Sequence, residues 1–168
     1  MQNTMFVPPG WKNSRPKRVD VMDPRGLPQL SEWVTGAEAD GYHLQGFMSA
    51  NVSVAEAAAL ADLYWPKFVE YRGCVFLGFK FDKTAIDDWH GRLSGDCRAV
   101  ESVVNHIHLW DYFVVALESE YAALPQLAES IAIMWRAAVQ AAFPDREFEI
   151  TVSDGSGDYG PSLRLIGR

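Results

Sequence analysis

The sequence contains no feature that by itself assigns the chain to a functional class. Its apolar runs fall well short of the ~20 residues that a membrane-spanning helix needs, so we expect no membrane association. It contains no G-x-G-x-x-G, P-loop, G-x-S-x-G, H-E-x-x-H or C-x-x-C motif, which are the common signatures of dinucleotide, nucleotide, hydrolase and zinc sites. Internal repeats and low-complexity tracts are also absent. We therefore expect neither a cofactor nor a tightly bound metal.

Cysteine is scarce, because Cys74 and Cys97 are the only two in 168 residues. The first 18 residues contain prolines where a signal peptide needs an apolar core, so we expect no secretion signal. Proteins of the cytosol rarely keep disulfide bonds. We accordingly predict a cytoplasmic protein with two reduced thiols. The sequence does not identify a base that would activate Cys97, so we do not assign this residue as a nucleophile.

The charge of the chain is acidic overall and unevenly placed, with a net value of −7. Residues 1–26 carry five basic and two acidic residues, which gives 5 − 2 = +3. The remainder carries 10 basic and 20 acidic residues, which gives 10 − 20 = −10. An acidic body repels phosphate backbones, so the charge argues against nucleic acid as a partner and favours a basic protein. The basic residues of the N-terminal segment are Lys12, Arg15, Lys17, Arg18 and Arg25.

The N-terminal segment 1–28 has a different composition from the rest of the chain. It contains four prolines by position 24 and no periodic apolar pattern, so we interpret it as an extended basic arm. Phe6 and Trp11 are the side chains that would order it locally. Residues 29–168 are then predicted to form a single domain, which is long enough to bury a hydrophobic core without disulfides or metals.

A helix followed by a strand is predicted at the centre of the fold. An S-x-x-E capping box at Ser53 begins a helix over Ser53–Trp65, which the following proline ends. The strand Cys74–Phe81 is apolar on both faces over most of its length, which predicts that both faces are covered. We expect Phe76 and Phe79 to be buried on opposite faces of this strand.

A second helix is predicted over Asp96–Ile107, with Asp96 as its cap. Valine and isoleucine recur along it at helical spacing, while Arg98, Glu101 and Asn105 lie off that apolar stripe. The following segment, Leu109–Ala116, is apolar on both faces, so periodicity leaves strand and helix open. The other predicted elements are a helix over Pro125–Phe143 that begins at its proline, a short helix from Asp82 or Thr84 to Leu93, a short helix over Leu30–Thr35, and a strand over Tyr42–Ser49.

The C-terminal segment predicts a β-hairpin. Phe148, Ile150 and Val152 alternate with polar residues, and Leu163 and Leu165 do the same on the returning strand. The glycine-rich turn between them is too short for a calcium-binding loop and lacks its residue order. The predicted fold is therefore α+β: a mixed or antiparallel sheet that combines the central strand with this hairpin, packed by three main helices.

The residues best suited to catalysis or metal binding are His90, His106, His108 and Asp111. Two histidines at i and i+2 share one face of a strand, which is a metal-ligand spacing. On a helix the same two positions are about 200° apart, and the apolar stripe favours helix through His106. We therefore favour a structural role, in which His108 forms a local hydrogen bond with Asp111. The alternative is a small hydrolase, metal-dependent in one form, that uses all four residues.

A second cluster consists of Asp87, Asp88 and His90, which could supply an acid and a base. Adjacent positions of a helix point about 100° apart, so the two carboxylates do not converge on one substrate atom. Carboxylates also stabilise the first turn of a helix by their charge alone. We interpret this cluster as structural.

Aromatic residues carry the function that we predict. The chain has six tryptophans and six tyrosines, most of which we expect in the core. Those that remain exposed on an acidic body would form a binding face. We predict a non-enzymatic accessory protein that binds another macromolecule through an acidic, aromatic-containing surface, and an immunity-like or inhibitor-like role is one form of it.

Overall fold

A computed structural model describes residues 26–33, 43–157 and 159–168 of the chain. In these ranges the helices are α1 Pro28–Ser31, α2 Leu44–Asn51, α3 Val54–Tyr64, α4 Lys83–Arg92, α5 Cys97–Val104 and α6 Glu118–Ala142. The strands are β1 Phe68–Tyr71, β2 Cys74–Leu77, β3 His106–His108, β4 Phe148–Ser153 and β5 Ser162–Gly167, and short 3₁₀ helices cover Gly78–Lys80 and Leu109–Asp111. Helices packed with antiparallel sheets confirm the predicted α+β class.

The described strands form two antiparallel sheets. β1 and β2 are a hairpin joined by Arg72 and Gly73, whose φ angles of 54° and 80° match the turn that suits a two-residue hairpin. The second sheet has the order β3-β5-β4, so β5 is its central strand and the predicted C-terminal hairpin is confirmed as β4–β5. Strand β1 was not predicted. It takes β2 as its partner, so the predicted combined sheet is divided into two.

The hydrophobic core has two parts. The larger lies among α3, α6 and the three-stranded sheet, where the buried Trp135 donates its indole N–H to the Leu63 carbonyl at 2.8 Å. The smaller packs α4 and α5 against β2, with Phe76, Ile86 and Val100 fully buried. Strand β2 contributes to both parts, because its four residues are all buried. The prediction of a strand covered on both faces is confirmed for this stretch.

Two polar residues, one in α5 and one at its C-cap, connect the two sheets. Glu101 and Asn105 are 1% and 0% exposed, although both lie off the apolar stripe of the helix. Asn105 accepts a hydrogen bond from the Leu77 N–H at 3.0 Å and donates to the carbonyls of Val75 at 2.8 Å and Leu165 at 3.1 Å. Glu101 accepts from the N–H groups of Val75 and Gly167. These side chains satisfy backbone groups of β2 and β5 that would otherwise be buried without partners.

The predicted helix over Asp96–Ile107 is too long. Its cap is confirmed, because the Asp96 side chain accepts from the Ala99 N–H, but the helix ends at Val104. The chain then extends into β3, which pairs with the central strand β5. Strand β5 is distant in the sequence, but its hydrogen bonds with β3 outweigh the local preference of residues 106–107 for helix.

The predicted strand Cys74–Phe81 is also too long, because a 3₁₀ helix begins at Gly78. The chain turns there toward the Lys67 carbonyl, which accepts from the Gly78 N–H at 2.7 Å. Phe79 is consequently 39% exposed, so the prediction that Phe76 and Phe79 are both buried is wrong for Phe79.

Three further element predictions need correction or fall outside the described ranges. Where a strand is predicted over Tyr42–Ser49, the structure has α2 from Leu44, which the His43 side chain caps by accepting from the Gly46 N–H, and Tyr42 lies outside the described ranges. Helix α6 begins seven residues before Pro125, because the Glu120 carboxylate accepts from the N–H groups of Ala116 and Leu117 and starts it there. The predicted helix from position 30 is α1, which ends at Ser31, and the last residues of that prediction, like residues 1–25 of the arm, lie outside the described ranges.

The remaining helix predictions are confirmed. The Ser53 capping box is present in both directions, and the Asp82 side chain caps α4 by accepting from the Ala85 N–H. Within the described ranges, none of the helices combines the length and the apolar composition needed to cross a membrane.

The two cysteines are joined, which corrects the prediction of two reduced thiols. A disulfide links Cys74, the first residue of β2, to Cys97, the first residue of α5. Cys74 is fully buried beside Phe76 and Val100. The bond therefore holds the N-terminal turn of α5 against the strand that Glu101 and Asn105 also contact. Rarity of disulfides in cytosolic proteins misled the sequence argument, because composition does not report the distance between two residues.

We predict that Phe76→Ala lowers the free energy of unfolding by about 3–5 kcal/mol, because it empties a fully buried site in β2. Phe79→Ala removes the same atoms from a partly exposed site and is expected to cost clearly less. Urea unfolding of the two variants beside the wild type is the measurement. Equal losses would show that β2 is not the buried strand described here.

We predict that reduction of Cys74–Cys97 lowers the free energy of unfolding by about 2–4 kcal/mol, since the bond restricts the unfolded chain. Thiol titration of the denatured protein should find no free thiol before reduction, and the Cys74→Ser/Cys97→Ser variant should be insensitive to reductant. Two free thiols in freshly purified, oxidised protein would contradict the bond.

Candidate functional site

Strand β3 brings His106 and His108 together. Ile107 between them is 1% exposed and packs in the core, so the two histidines project from the opposite face of the sheet. Their ring centroids are 4.4 Å apart. This corrects the prediction that a helix separates them, because α5 has already ended when the chain reaches β3.

The other two predicted residues lie elsewhere. His90 is on α4, where its ring packs against the turn at Gly95, 3.2 Å from the position that a Cβ would take there. Asp111 ends the 3₁₀ helix after β3, and its predicted hydrogen bond with His108 is not formed in the described part of the chain. Within the described ranges, no group of three or more histidine, cysteine, aspartate or glutamate side chains is placed to hold a metal ion. The four predicted residues therefore do not form one site.

A series of aromatic rings leads away from His108. The Tyr159 ring lies 5.5 Å from the His108 ring, the Trp110 ring lies 5.2 Å from Tyr159, and the Tyr121 ring lies 6.0 Å from Trp110. Gly160 has φ of 71°, and a Cβ on it would lie 2.6 Å from the Trp110 ring, so the β4–β5 loop can approach this closely only with glycine. The rings connect the histidine face of the sheet to the segment that follows β3.

That segment, whose structure the sequence left open, is neither a strand nor a long helix. After the 3₁₀ helix it continues as an irregular loop to the start of α6. Its side chains alternate between two environments. Leu109, Phe113 and Val115 pack against the larger core, whereas Trp110, Tyr112 and Val114 face outward. The sequence of this segment is apolar on both faces, and the structure shows that one of these faces is buried and the other is exposed.

The exposed face is part of a continuous patch that we call the aromatic surface, made of Phe79, Trp110, Tyr112, Val114 and Tyr121. Val114 is 95% exposed and Tyr121 is 50% exposed. The Phe79 and Tyr112 rings are in edge contact, with centroids 6.1 Å apart. Two shallow concavities meet at Tyr112, one containing Trp110 and Tyr121 and the other containing Phe79. Contiguous exposed apolar side chains of this kind mark interaction sites.

Carboxylates border the aromatic surface. Asp111 lines the concavity at Trp110, and Asp62 lines the one at Phe79. Partial burial of the Tyr112 hydroxyl, together with the negative charge of Asp111, raises the pKa of Tyr112, so this side chain stays neutral and can donate a hydrogen bond. The sequence from residue 99 to residue 135 contains no lysine or arginine. Asp62 forms an ion pair with Lys67 at 3.8 Å, whereas Asp111 has no ion-pair partner in the described ranges. The surface therefore combines aromatic rings with negative charge that the described residues balance only at Asp62.

Glu120 adds to that charge at the start of α6. The N–H groups of Ala116 and Leu117 donate to its carboxylate at 2.8 and 2.9 Å, and these hydrogen bonds lower the pKa of Glu120. The carboxylate is therefore ionised throughout the neutral range. It lines a third concavity, which shares Val114 with the aromatic surface.

Of the second predicted cluster, only Asp87 belongs to an ion-pair network in the described ranges. Asp87 accepts hydrogen bonds from Lys83 at 2.8 Å, from the Tyr71 hydroxyl at 2.9 Å and from Arg72 at 2.8 Å. These interactions lower the pKa of Asp87 to about 2, and the hydrogen bond from Lys83 has the largest effect. The network fastens the β1–β2 turn to α4. Asp88 points away into solvent, so the two carboxylates do not converge.

The pKa of Asp87 has a consequence for acid stability. Because its folded value of about 2 lies below the ordinary 3.8, ionised Asp87 stabilises the fold above pH 3.8, and this contribution is lost as the pH falls toward 2. We therefore predict that Asp87→Asn weakens the dependence of unfolding free energy on pH between pH 4 and 2. Asp88→Asn, with the same change of charge on the same helix, is the control. Identical acid profiles for the wild type and Asp87→Asn would show that the network contributes nothing.

Comparison with known proteins adds no family to these observations. No family model matches the chain, and no curated protein or solved structure matches it. A function for this chain is therefore inferred from its own residues.

Proposed function

We propose that this protein is a non-enzymatic binding protein whose aromatic surface receives a basic segment of a partner protein. The observation that carries the proposal is the coincidence, on one patch, of exposed aromatic rings and bordering carboxylates. An immunity-like or inhibitor-like role is one form of this activity.

The aromatic side chains suit a protein partner. Tyrosine and tryptophan offer large contact area with few rotatable bonds, and they dominate the binding energy of many protein interfaces. Trp110 and Tyr121 are held by mutual ring contact, and Tyr112 by contact with Phe79, so the rings are ordered before a partner arrives. Ordered side chains lose less conformational entropy on binding.

The negative charge of the protein favours a positively charged partner. Residues 27–168 carry −10, and the stretch that forms most of the aromatic surface contains no basic residue. Arginine and lysine side chains gain both from nearby carboxylates and from contact with aromatic faces. The same charge repels nucleic acid.

The cytoplasmic location, which we expected because the sequence shows no secretion signal, remains a prediction. The reduced thiols expected with it are not found, because Cys74 and Cys97 are joined. Disulfides persist mainly in oxidising compartments. The bond therefore argues for such a compartment as the place where this protein and its partner meet.

The hydrolase alternative also remains a prediction. It depends on convergence of His90, His106, His108 and Asp111, of which the structure unites only His106 and His108. No described observation favours it over binding.

The binding proposal is tested by calorimetric titration of an arginine-rich peptide into the full chain. We expect Tyr112→Ala and Tyr121→Ala each to weaken binding about tenfold, as truncation of an interface aromatic does. Ile133→Ala, which removes an exposed apolar side chain of α6 outside the aromatic surface, is the control and should bind as the wild type does. Equal binding by all four proteins would refute the proposal.

Charge and the N-terminal segment give a second readout of the same titration. Binding should weaken from 0.1 M to 1 M salt, as the screening length falls from ~10 to ~3 Å. Asp111→Asn should weaken it more than Asp145→Asn. Removal of residues 1–26, which carry +3, should leave binding intact or tighten it. In a pull-down from cell lysate, nuclease-sensitive partners that are lost when residues 1–26 are removed would instead support nucleic-acid binding.

A further inference from the structure

The outward face of the three-stranded sheet is unusually polar. Residues directly opposite each other on neighbouring strands project to the same face. The register places Arg164 of β5 between His106 and Thr151, and Ser162 of β5 between His108 and Ser153. The opposite face is apolar and belongs to the core. Two imidazoles, one guanidinium and three hydroxyls thus share one surface, at the centre of a sheet whose backbone is fixed by pairing on both sides of β5.

Arg164 has no counter-ion in the described part of the chain. Its Nε is buried and has no hydrogen-bond partner there, and none of the described carboxylates forms an ion pair with it. The next carboxylate along the same face of β4, Glu149, lies 3.7 Å from Arg98 and 3.9 Å from Arg168. What distinguishes Arg164 is its buried Nε, which has no hydrogen-bond partner among the described residues, since buried polar atoms are nearly always paired.

His108 shows the same deficiency. Its Nδ1 is buried without a hydrogen-bond partner in the described ranges, and it sits diagonally across from Arg164 in the ladder. Leaving a buried polar atom unsatisfied costs about 1–3 kcal/mol. Two buried polar atoms without hydrogen-bond partners in the described ranges therefore lie at diagonal positions of one sheet face.

We propose that this face binds a small oxyanion, a phosphate or carboxylate group, with Arg164 as the principal ligand and His106 and His108 beside it. Guanidinium matches the planar arrangement of oxygens in such groups and bonds them in pairs. The His108 imidazole and the hydroxyls of Ser162 and Thr151 supply further donors. A cation would be repelled by Arg164, which is always charged.

The surroundings favour an anion carried on a small organic molecule. The Tyr159 ring lies against His108, and Trp110 lies against Tyr159, so an aromatic wall stands beside the polar face. Binding pockets for small molecules combine a few placed polar groups with such walls. The site is independent of the proposed protein partner, although Trp110 borders both.

The test uses the full oxidised chain, with inorganic phosphate and acetate as separate probes and chloride as the control for ionic strength. We expect one anion per chain, a shift of the Arg164 Nε–H resonance on binding, and a preference between the two probes that identifies the group. Arg164→Gln should lower the affinity at least about tenfold, because it removes a charge-assisted bond. His108→Gln should lower it by a smaller factor.

Arg92→Gln is the matched control, since it removes the same charge from α4, where the guanidinium rests on the Trp89 ring. It should bind as the wild type does. Arg164→Lys, which keeps the charge but loses the planar group and Nε, should bind more weakly, and it replaces Arg164→Gln if that variant does not fold. The proposal is overturned if neither probe binds at millimolar concentration, or if phosphate and acetate have no more effect than chloride at the same ionic strength. It is also overturned if Arg92→Gln weakens binding as much as Arg164→Gln.

Discussion

The side chains of Glu101 in α5 and of Asn105, the C-cap of that helix, hold the molecule together, and the rest of the structure depends on them. Glu101 and Asn105 take the place of a β-strand between β2 and β5, since each contacts the backbone of both strands. Without them, buried N–H and C=O groups on two sheets would lack partners. The disulfide at the first turn of α5 reinforces this attachment from the other end of the helix. Side chains at the helix thereby connect the two sheets, a connection that backbone pairing would make in a continuous sheet.

The surfaces that we associate with function follow from where α5 stops. Because Asn105 is committed to the two strands, the chain leaves the helix there and pairs with β5 as β3. That pairing turns His106 and His108 to the same face and carries the next residues across the start of α6. Trp110, Tyr112 and their neighbours are exposed as a result. One segment, 97–121, thus supplies both the helix that binds the sheets and the side chains proposed to bind ligands.

Much of the fold was predictable where local chemistry decides it. The caps at Ser53, Asp82 and Asp96 are side-chain-to-backbone bonds within four residues. Ser53 and Asp96 were predicted, and Asp82 was one of two candidates with Thr84. The alternation that predicts β4 and β5 was equally reliable, because their two faces have different environments. The candidate site was less predictable. His106 and His108 were identified as residues, but their shared face was not, and Arg164 was passed over because alternating polar residues on a strand usually just face solvent.

The sequence by itself determined the capped starts of α3 and α5, the C-terminal hairpin, the α+β class and the acidic charge, since each depends on neighbouring residues or on simple sums. Tertiary structure alone decided that Glu101 is buried, that Cys74 meets Cys97, and that the helical pattern at His106 gives way to a strand. In each case the deciding partner lies 23 or more residues away along the chain or in another element. Local periodicity carries no information about such partners, and burial of backbone groups makes their satisfaction compulsory.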